Sequence, residues 1–335
     1  MNPARALPLL CCLLATGARM VGAEAETKHP APTNEEAAPS LDALYETGKA
    51  LFDQFAPPEI KEQFGFPSRK QWDQFAVRLN RALASDDLAQ LGQFLPEAKT
   101  ALTALRALPG YEDYADWLQE RIDYIEAAQQ TTTQPAPESP PEENPPTSPA
   151  PQAPPKSGKA VPYYELWLER MIERPVPSNA EKLLPSVQAA FEEEGVPPEI
   201  AWLAESESTF NPNARSPSGA KGLFQFMPET AKGLGLSTFM PDERTNPQKS
   251  ARAAARYLRE LHGKFGEWPL AFAAYNAGEG RVRRLLEKRG GSTFASIASA
   301  LPSETRMYVP KVCATIAVRA GVAPENLPAP KASAG

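Results

Sequence analysis

The chain has 335 residues, 42% of them hydrophobic and 23% charged, with a formal net charge of −6. That length accommodates two ordinary domains. The acidic balance, with no long basic run, lacks the charge signature of a nucleic-acid binder, so no nucleic-acid partner is expected.

At the start, Arg5 precedes an apolar run over residues 6–15, and Val21, Gly22 and Ala23 form a small-residue cleavage site. Residues 1–23 read as a secretory signal peptide, which would deliver the chain to the periplasm or cell envelope. The run is too short for a permanent membrane span. Cys11 and Cys12 lie inside it, but Leu9 and Leu10 stand where a lipoprotein signal wants small residues, so a lipid anchor is not favoured. Cys313 is then the remaining cysteine, and no internal disulfide can form. The rest is charged unevenly: −10 over residues 24–159 and +2 over 160–335, so the second half is the part able to approach an anionic polymer.

Residues 24–39 are polar and proline-bearing, a disordered tail by composition. Residues 40–130 repeat apolar positions at helical spacing, with Leu41, Leu44 and Tyr45, then Trp72, Phe75 and Leu79, then Leu88, Leu91, Leu95, Leu102 and Leu105, then Trp117, Leu118, Ile122 and Ile125. They predict a small helical bundle with its aromatics in the core. Residues 131–160 hold ten prolines and little apolar bulk, a semi-rigid, extended linker.

From residue 161 the pattern is helical again. Asn179 is placed to cap a helix lined by Leu183, Leu184, Val187, Ala190 and Phe191 and ended by Gly195. Residues 198–208 predict a short helix opened by Pro198, with Ile200, Leu203 and Ala204 on its inner stripe. Glu207 falls next on that stripe, while Glu205, two residues away, points outward. A carboxylate on a core-facing stripe is costly unless paired or neutral, and a protonated carboxyl can serve as a general acid. The plainer alternative is a helix with two solvated glutamates. Further on, Asn246 and Pro247 start a helix that Gly263 stops. Residues 268–276, 279–288 and 292–301 make three short helices. Ser303 caps the last, which Pro310 kinks or splits. No run of alternating strands is evident, so the fold class is mainly α.

Four stretches carry a family resemblance: Glu207-Ser208-Thr209-Phe210-Asn211-Pro212, Gly222-Leu223-Phe224-Gln225-Phe226-Met227-Pro228, Ala274-Tyr275-Asn276-Ala277-Gly278 and Glu304-Thr305-Arg306-Met307-Tyr308-Val309-Pro310. Their order and spacing resemble the soluble lytic transglycosylase family, of the type represented by membrane-bound lytic murein transglycosylase D. The resemblance covers roughly residues 182–320 and leaves out the bundle and the linker. It implies a lysozyme-like helical catalytic domain, residues 161–325, followed by a tail at 326–335.

The implied activity is cleavage of the β-1,4 bond between N-acetylmuramic acid and N-acetylglucosamine in peptidoglycan glycan strands. The muramic C6 hydroxyl would close onto C1 and leave a 1,6-anhydro end. Glu207 would be the sole general acid/base. Ser208, Gln225, Phe226, Tyr275, Asn276 and Tyr308 would bind substrate, with Tyr308 near the catalytic centre. Ordinary glycosidases need a second carboxylate; an internal hydroxyl removes that need, and Asp242 and Glu243 read as loop residues. Ser206 departs from the family, which tends to have an apolar residue there. With His29 and His262 the only histidines, neither a zinc site nor a Ser-His-Asp triad has support, and no metal or cofactor is expected. A goose-type lysozyme-like hydrolase and a non-catalytic murein-binding scaffold are the alternatives. The acidic bundle is expected to dock a protein partner.

Overall fold

A computed structural model describes residues 161–331, apart from 217 and 218. In the N-terminal part it describes residues 58–63, 68–70, 92–106, 112–133 and a few single positions. The signal peptide, the 24–39 tail, most of the early bundle pattern and residues 134–160 of the linker lie outside the described residues. The chain divides into two compact units, residues 1–126 with 215–220, and residues 127–214 with 221–335. Among the described residues the fold is mainly α, without a named strand, as the periodicity predicts.

The described N-terminal helices are α1 (Pro58–Gln63), α2 (Leu95–Arg106) and α3 (Glu112–Thr133). Pro96 sits at the start of α2, where its missing N–H costs nothing. Leu102, Leu118 and Ile122 are buried at the expected spacing. Helix α3 runs three residues into the stretch read as linker.

The second unit holds α4 (Tyr164–Ile172), α5 (Ala180–Glu193), α6 (Leu203–Ser208), α7 (Pro228–Gly233), α8 (Pro247–Phe265), α9 (Trp268–Ala277), α10 (Glu279–Arg289), α11 (Phe294–Ile297) and α12 (Ser303–Ala320). Its axis is α12, buried almost without interruption from Thr305 to Ala317 and packed against α4, α9 and α6. A helix apolar all round belongs in a core. Pro310 neither splits nor ends it; the lost backbone bond, about 3 kcal/mol, is outweighed by burial on every side. Ser303 is its first residue rather than its cap, a place taken by Pro302.

Other boundaries follow local chemistry. Asn246 caps α8 by accepting from the Lys249 N–H at 3.0 Å. The helix passes through Gly263 and stops at Gly266, whose left-handed φ of 79° and N–H to the His262 carbonyl close the last turn. A glycine with ordinary φ weakens a helix without ending it. Asn179 makes no side-chain cap; its own backbone is already helical, at φ −79° and ψ −13°, rather than in the extended conformation that a capping residue takes. The stretch read as a tail returns to the unit: Leu327 is buried, the Pro328 carbonyl accepts from the Trp268 indole at 2.9 Å, and the Lys331 N–H donates to the Gly195 carbonyl at 2.8 Å.

Lys311 lies wholly inside this core, its Nζ 5.7 Å from the centre of the Trp167 ring. Burial pushes its amine down to about 7, whereas an unfolded lysine takes its proton near 10.4. Across that window the unfolded chain holds the extra proton, so stability falls as pH drops and the full cost is present below about 7. Lys311→Met should therefore increase the unfolding free energy near about pH 6 by on the order of a few kcal/mol, seen as a higher unfolding temperature, and increase it far less near about pH 10. Thermal unfolding of the two proteins at both pH values checks this.

Candidate active site

Residues 198–208 do not form one helix. Pro197 and Pro198 start a 3₁₀ turn, Pro198–Trp202, and α6 follows it. Helix α6 is buried on nearly every side, at Leu203, Ala204, Glu205, Ser206 and Ser208, so it has no outward face at Glu205 and the prediction for that residue fails. Glu205 is not outward: it is 1% exposed. Its two oxygens accept from Arg319 Nε at 2.9 Å and Nη2 at 2.8 Å. Arg319, at the end of α12, also donates to the carbonyls of Arg174 and Pro175. A carboxylate tolerates that depth only with such a partner.

Glu207 is half-buried, and its Oε1 accepts from the Tyr308 hydroxyl at 2.5 Å. Between the two glutamates, the Ser206 hydroxyl lies 3.4 Å from that of Thr315. Three successive residues of α6 thus meet three of α12, at 308, 315 and 319. Ser206, the departure from the family pattern, contributes the middle tie.

Past α6 the chain reverses through Thr209 and Phe210, both left-handed, at φ 52° and 57°. That region is strained for a β-branched or aromatic residue. The turn is held by the Thr209 N–H on the Glu205 carbonyl, the Phe210 N–H on the Ala204 carbonyl, and the buried Phe210 ring edge-on to Trp202 at 5.5 Å. Ser208 points away from Glu207's partner: its hydroxyl donates to the Leu223 carbonyl at 2.9 Å, with the Ala204 carbonyl also in reach. It ties α6 to the next loop.

That loop is a tight turn closed by reciprocal backbone bonds between Lys221 and Phe226. Gly222 has φ 82°, and a Cβ there would lie 1.8 Å from the Arg244 carbonyl oxygen. Gln225, also left-handed at φ 46°, donates its amide to the Gly222 carbonyl at 2.9 Å. Its amide oxygen takes no bond among the described residues. Phe226 is buried, its ring 6.1 Å from that of Tyr275.

From α9, the Tyr275 hydroxyl donates to the Phe224 carbonyl at 2.8 Å. Burial first, then the charges of Glu207 and Tyr257, hold its phenol well above the ordinary range, so it stays a donor. Tyr257 of α8, 5.6 Å ring to ring from Tyr275, belongs to this cluster and was not singled out from sequence. Its place on a stripe of alanines and leucines gave no chemical signal. Asn276 is half-buried and its amide oxygen accepts from the buried Thr305 hydroxyl at 2.7 Å, while its amide N–H groups take no bond among the described residues.

The other carboxylates of the region are engaged. Asp242 receives Arg244 in bidentate fashion, at 3.0 and 2.8 Å, and Lys221 at 2.9 Å. The Arg244 hydrogen bonds hold its carboxyl well below the usual range. Glu243 pairs with Lys249 and accepts from the Ser237 N–H. Among the described residues no group of three or more His, Cys, Asp or Glu is arranged to hold a metal.

The geometry defines a class: a helical domain that presents one half-buried carboxylate beside amide and aromatic side chains, with neighbouring carboxylates neutralised by cations. Residues 185–297 match the family described as Transglycosylase SLT domain. The chain is 37% identical over 142 residues to membrane-bound lytic murein transglycosylase D of Escherichia coli K12, covering 41% of this chain and 31% of that protein. It is 46% identical over 103 residues to peptidoglycan transglycosylase gp16 of Escherichia phage T7, covering 30% of this chain and 8% of that one. The chain thus spans about a third or less of the length of these relatives. The 70 kDa soluble lytic transglycosylase of Escherichia coli aligns with 86% of this chain and 62% of its own at 17% identity, with a TM-score of 0.36, too low to bear on the fold.

The Glu205 and Arg319 pair yields a stability test. Arg319→Met alone strands a buried carboxylate and should cost about 3–5 kcal/mol, while adding Glu205→Leu should recover most of it. Urea unfolding of the single and double variants measures both.

Proposed function

We propose that the chain is a peptidoglycan lytic transglycosylase with Glu207 as its only general acid/base. The observation that carries this reading is the Tyr308 hydroxyl donating to the half-buried Glu207 carboxylate, while Glu205, Asp242 and Glu243 are each bound to a cation. The SLT-domain match and the names of the relatives support the substrate class.

In this mechanism Glu207 gives its proton to the oxygen between muramic acid and glucosamine. The C1–O bond breaks and its electron pair stays with the glucosamine oxygen. Charge develops at C1 as an oxocarbenium ion. The muramic C6 hydroxyl then closes onto C1, its proton returns to Glu207, and a 1,6-anhydro ring is left. No second carboxylate is required because the nucleophile comes from the substrate. The free amide oxygen of Gln225 and the amide N–H groups of Asn276 supply an acceptor and a donor, the pair that an N-acetyl group needs. Phe226 and Tyr275 form the apolar wall beside the acid. Ser208 acts through the loop that carries Gln225.

In this reading residues 1–23 are removed on export to the cell envelope, 131–160 space the catalytic domain from the helical part, and the latter docks a protein partner.

The decisive experiment is mass spectrometry of muropeptides released from purified peptidoglycan by the full chain lacking residues 1–23. Products one water lighter than hydrolytic ones, without a reducing end, are expected. Reducing-end products would make the protein a hydrolase, and no release would leave a murein-binding scaffold. Glu207→Gln should lower release at least about a hundredfold while strand binding survives. Tyr308→Phe should lower turnover roughly ten- to a hundredfold with KM little changed, the loss expected for one hydrogen bond to a charged group, measured by turbidity assay.

A further inference from the structure

Phe239 and Met240 are 80% and 86% exposed, the most open large apolar side chains among the described residues. Exposed apolar surface of this kind marks binding when it is held in place. Here it is held. The loop base is closed by the Glu243 N–H on the Ser237 carbonyl and the Ser237 N–H on the Glu243 carboxylate, both at 2.9 Å. Within the loop, the Ser237 hydroxyl donates to the Phe239 carbonyl at 3.0 Å. Lys249 fixes Glu243, and Lys221 and Arg244 fix Asp242.

This loop is built onto the turn that carries Gln225. The Arg244 backbone lies where a Gly222 side chain would be, and the Arg244 guanidinium donates to the Phe226 carbonyl at 3.0 Å. We propose that Phe239 and Met240 form an outlying subsite that stacks on the apolar face of an N-acetylhexosamine ring, farther along the same glycan strand than the sugars at Glu207. The inference rests on the glycan-cleaving reading above.

Two features favour a sugar over other occupants. Two side chains cover about one pyranose ring, far below the roughly 1,000 Å² that a protein interface needs. An anionic membrane is drawn by a cluster of free cations, whereas here Lys221 and Arg244 are both bound to Asp242 and Lys249 to Glu243. An aromatic face meeting the C–H bonds of a sugar ring gains both apolar burial and attraction from the ring's negative face.

The test compares strand lengths in the Glu207→Gln background, where bound strands stay whole. Phe239→Ala with Met240→Ser should weaken binding of octasaccharide and longer strands about five- to tenfold. Binding of a disaccharide should be unchanged, and Phe239→Trp should keep long-strand affinity. In the otherwise wild-type chain the double substitution should raise KM for long strands and leave the rate on short ones alone. Unchanged long-strand binding, an equal loss on short and long strands, or a loss seen only with anionic lipid vesicles would overturn the subsite. If the wild-type chain neither binds nor cuts long strands, the parent reading fails and the subsite with it. If it cuts them and the variant is indistinguishable, the subsite alone fails.

Discussion

The whole site hangs on a buried ion pair. Helix α6 has six residues, too few to be stable by its own hydrogen bonds, so its position must come from what it touches. Glu205 and Arg319 supply that at one end, with two short bonds and two further carbonyls to satisfy the guanidinium. Taking both charges out of water is expensive, and only such complete satisfaction makes the pair tolerable. What it contributes is register. With Glu205 fixed on the last turn of α12, Glu207 can fall only opposite Tyr308.

A second framework holds the facing loop. The turn closed by Lys221 and Phe226 has its backbone pressed on Arg244, and Arg244 is itself held by Asp242. Ser208 and Tyr275 then join this loop to α6 and to α9 through its own carbonyls. Residues quoted for a binding role therefore divide. Ser208 and the Tyr275 hydroxyl are spent on the scaffold, whereas the Gln225 amide oxygen and the Asn276 amide nitrogen take no bond among the described residues.

Much of the helical order was legible because it is written in spacing. The buried stripe of α8 and the burial of Leu102, Leu118 and Ile122 follow from period alone. Several failures depend on partners distant in sequence. Nothing near Glu205 announces Arg319, more than a hundred residues away, and nothing near it announces that the short helix is covered on nearly every side. Pro310 looked like a break because local rules ignore a helix buried on all sides. Gly263 looked like a stop because φ is invisible in sequence; Gly266 has the left-handed backbone instead. Tyr257 was passed over because a tyrosine on an apolar stripe looks like ordinary packing.

Gly222 has a consequence for how this chain can vary. Every other amino acid at that position begins with the same carbon, and that carbon would sit 1.8 Å from a backbone oxygen of Arg244, which cannot swing aside as a side chain could. Polarity, size and charge of the newcomer are then irrelevant. Tolerance at most positions is graded by chemistry, whereas at Gly222 it is all or nothing and set by shape. A mutational map of the domain would show one position in this turn closed to every substitution, kept for having no side chain at all.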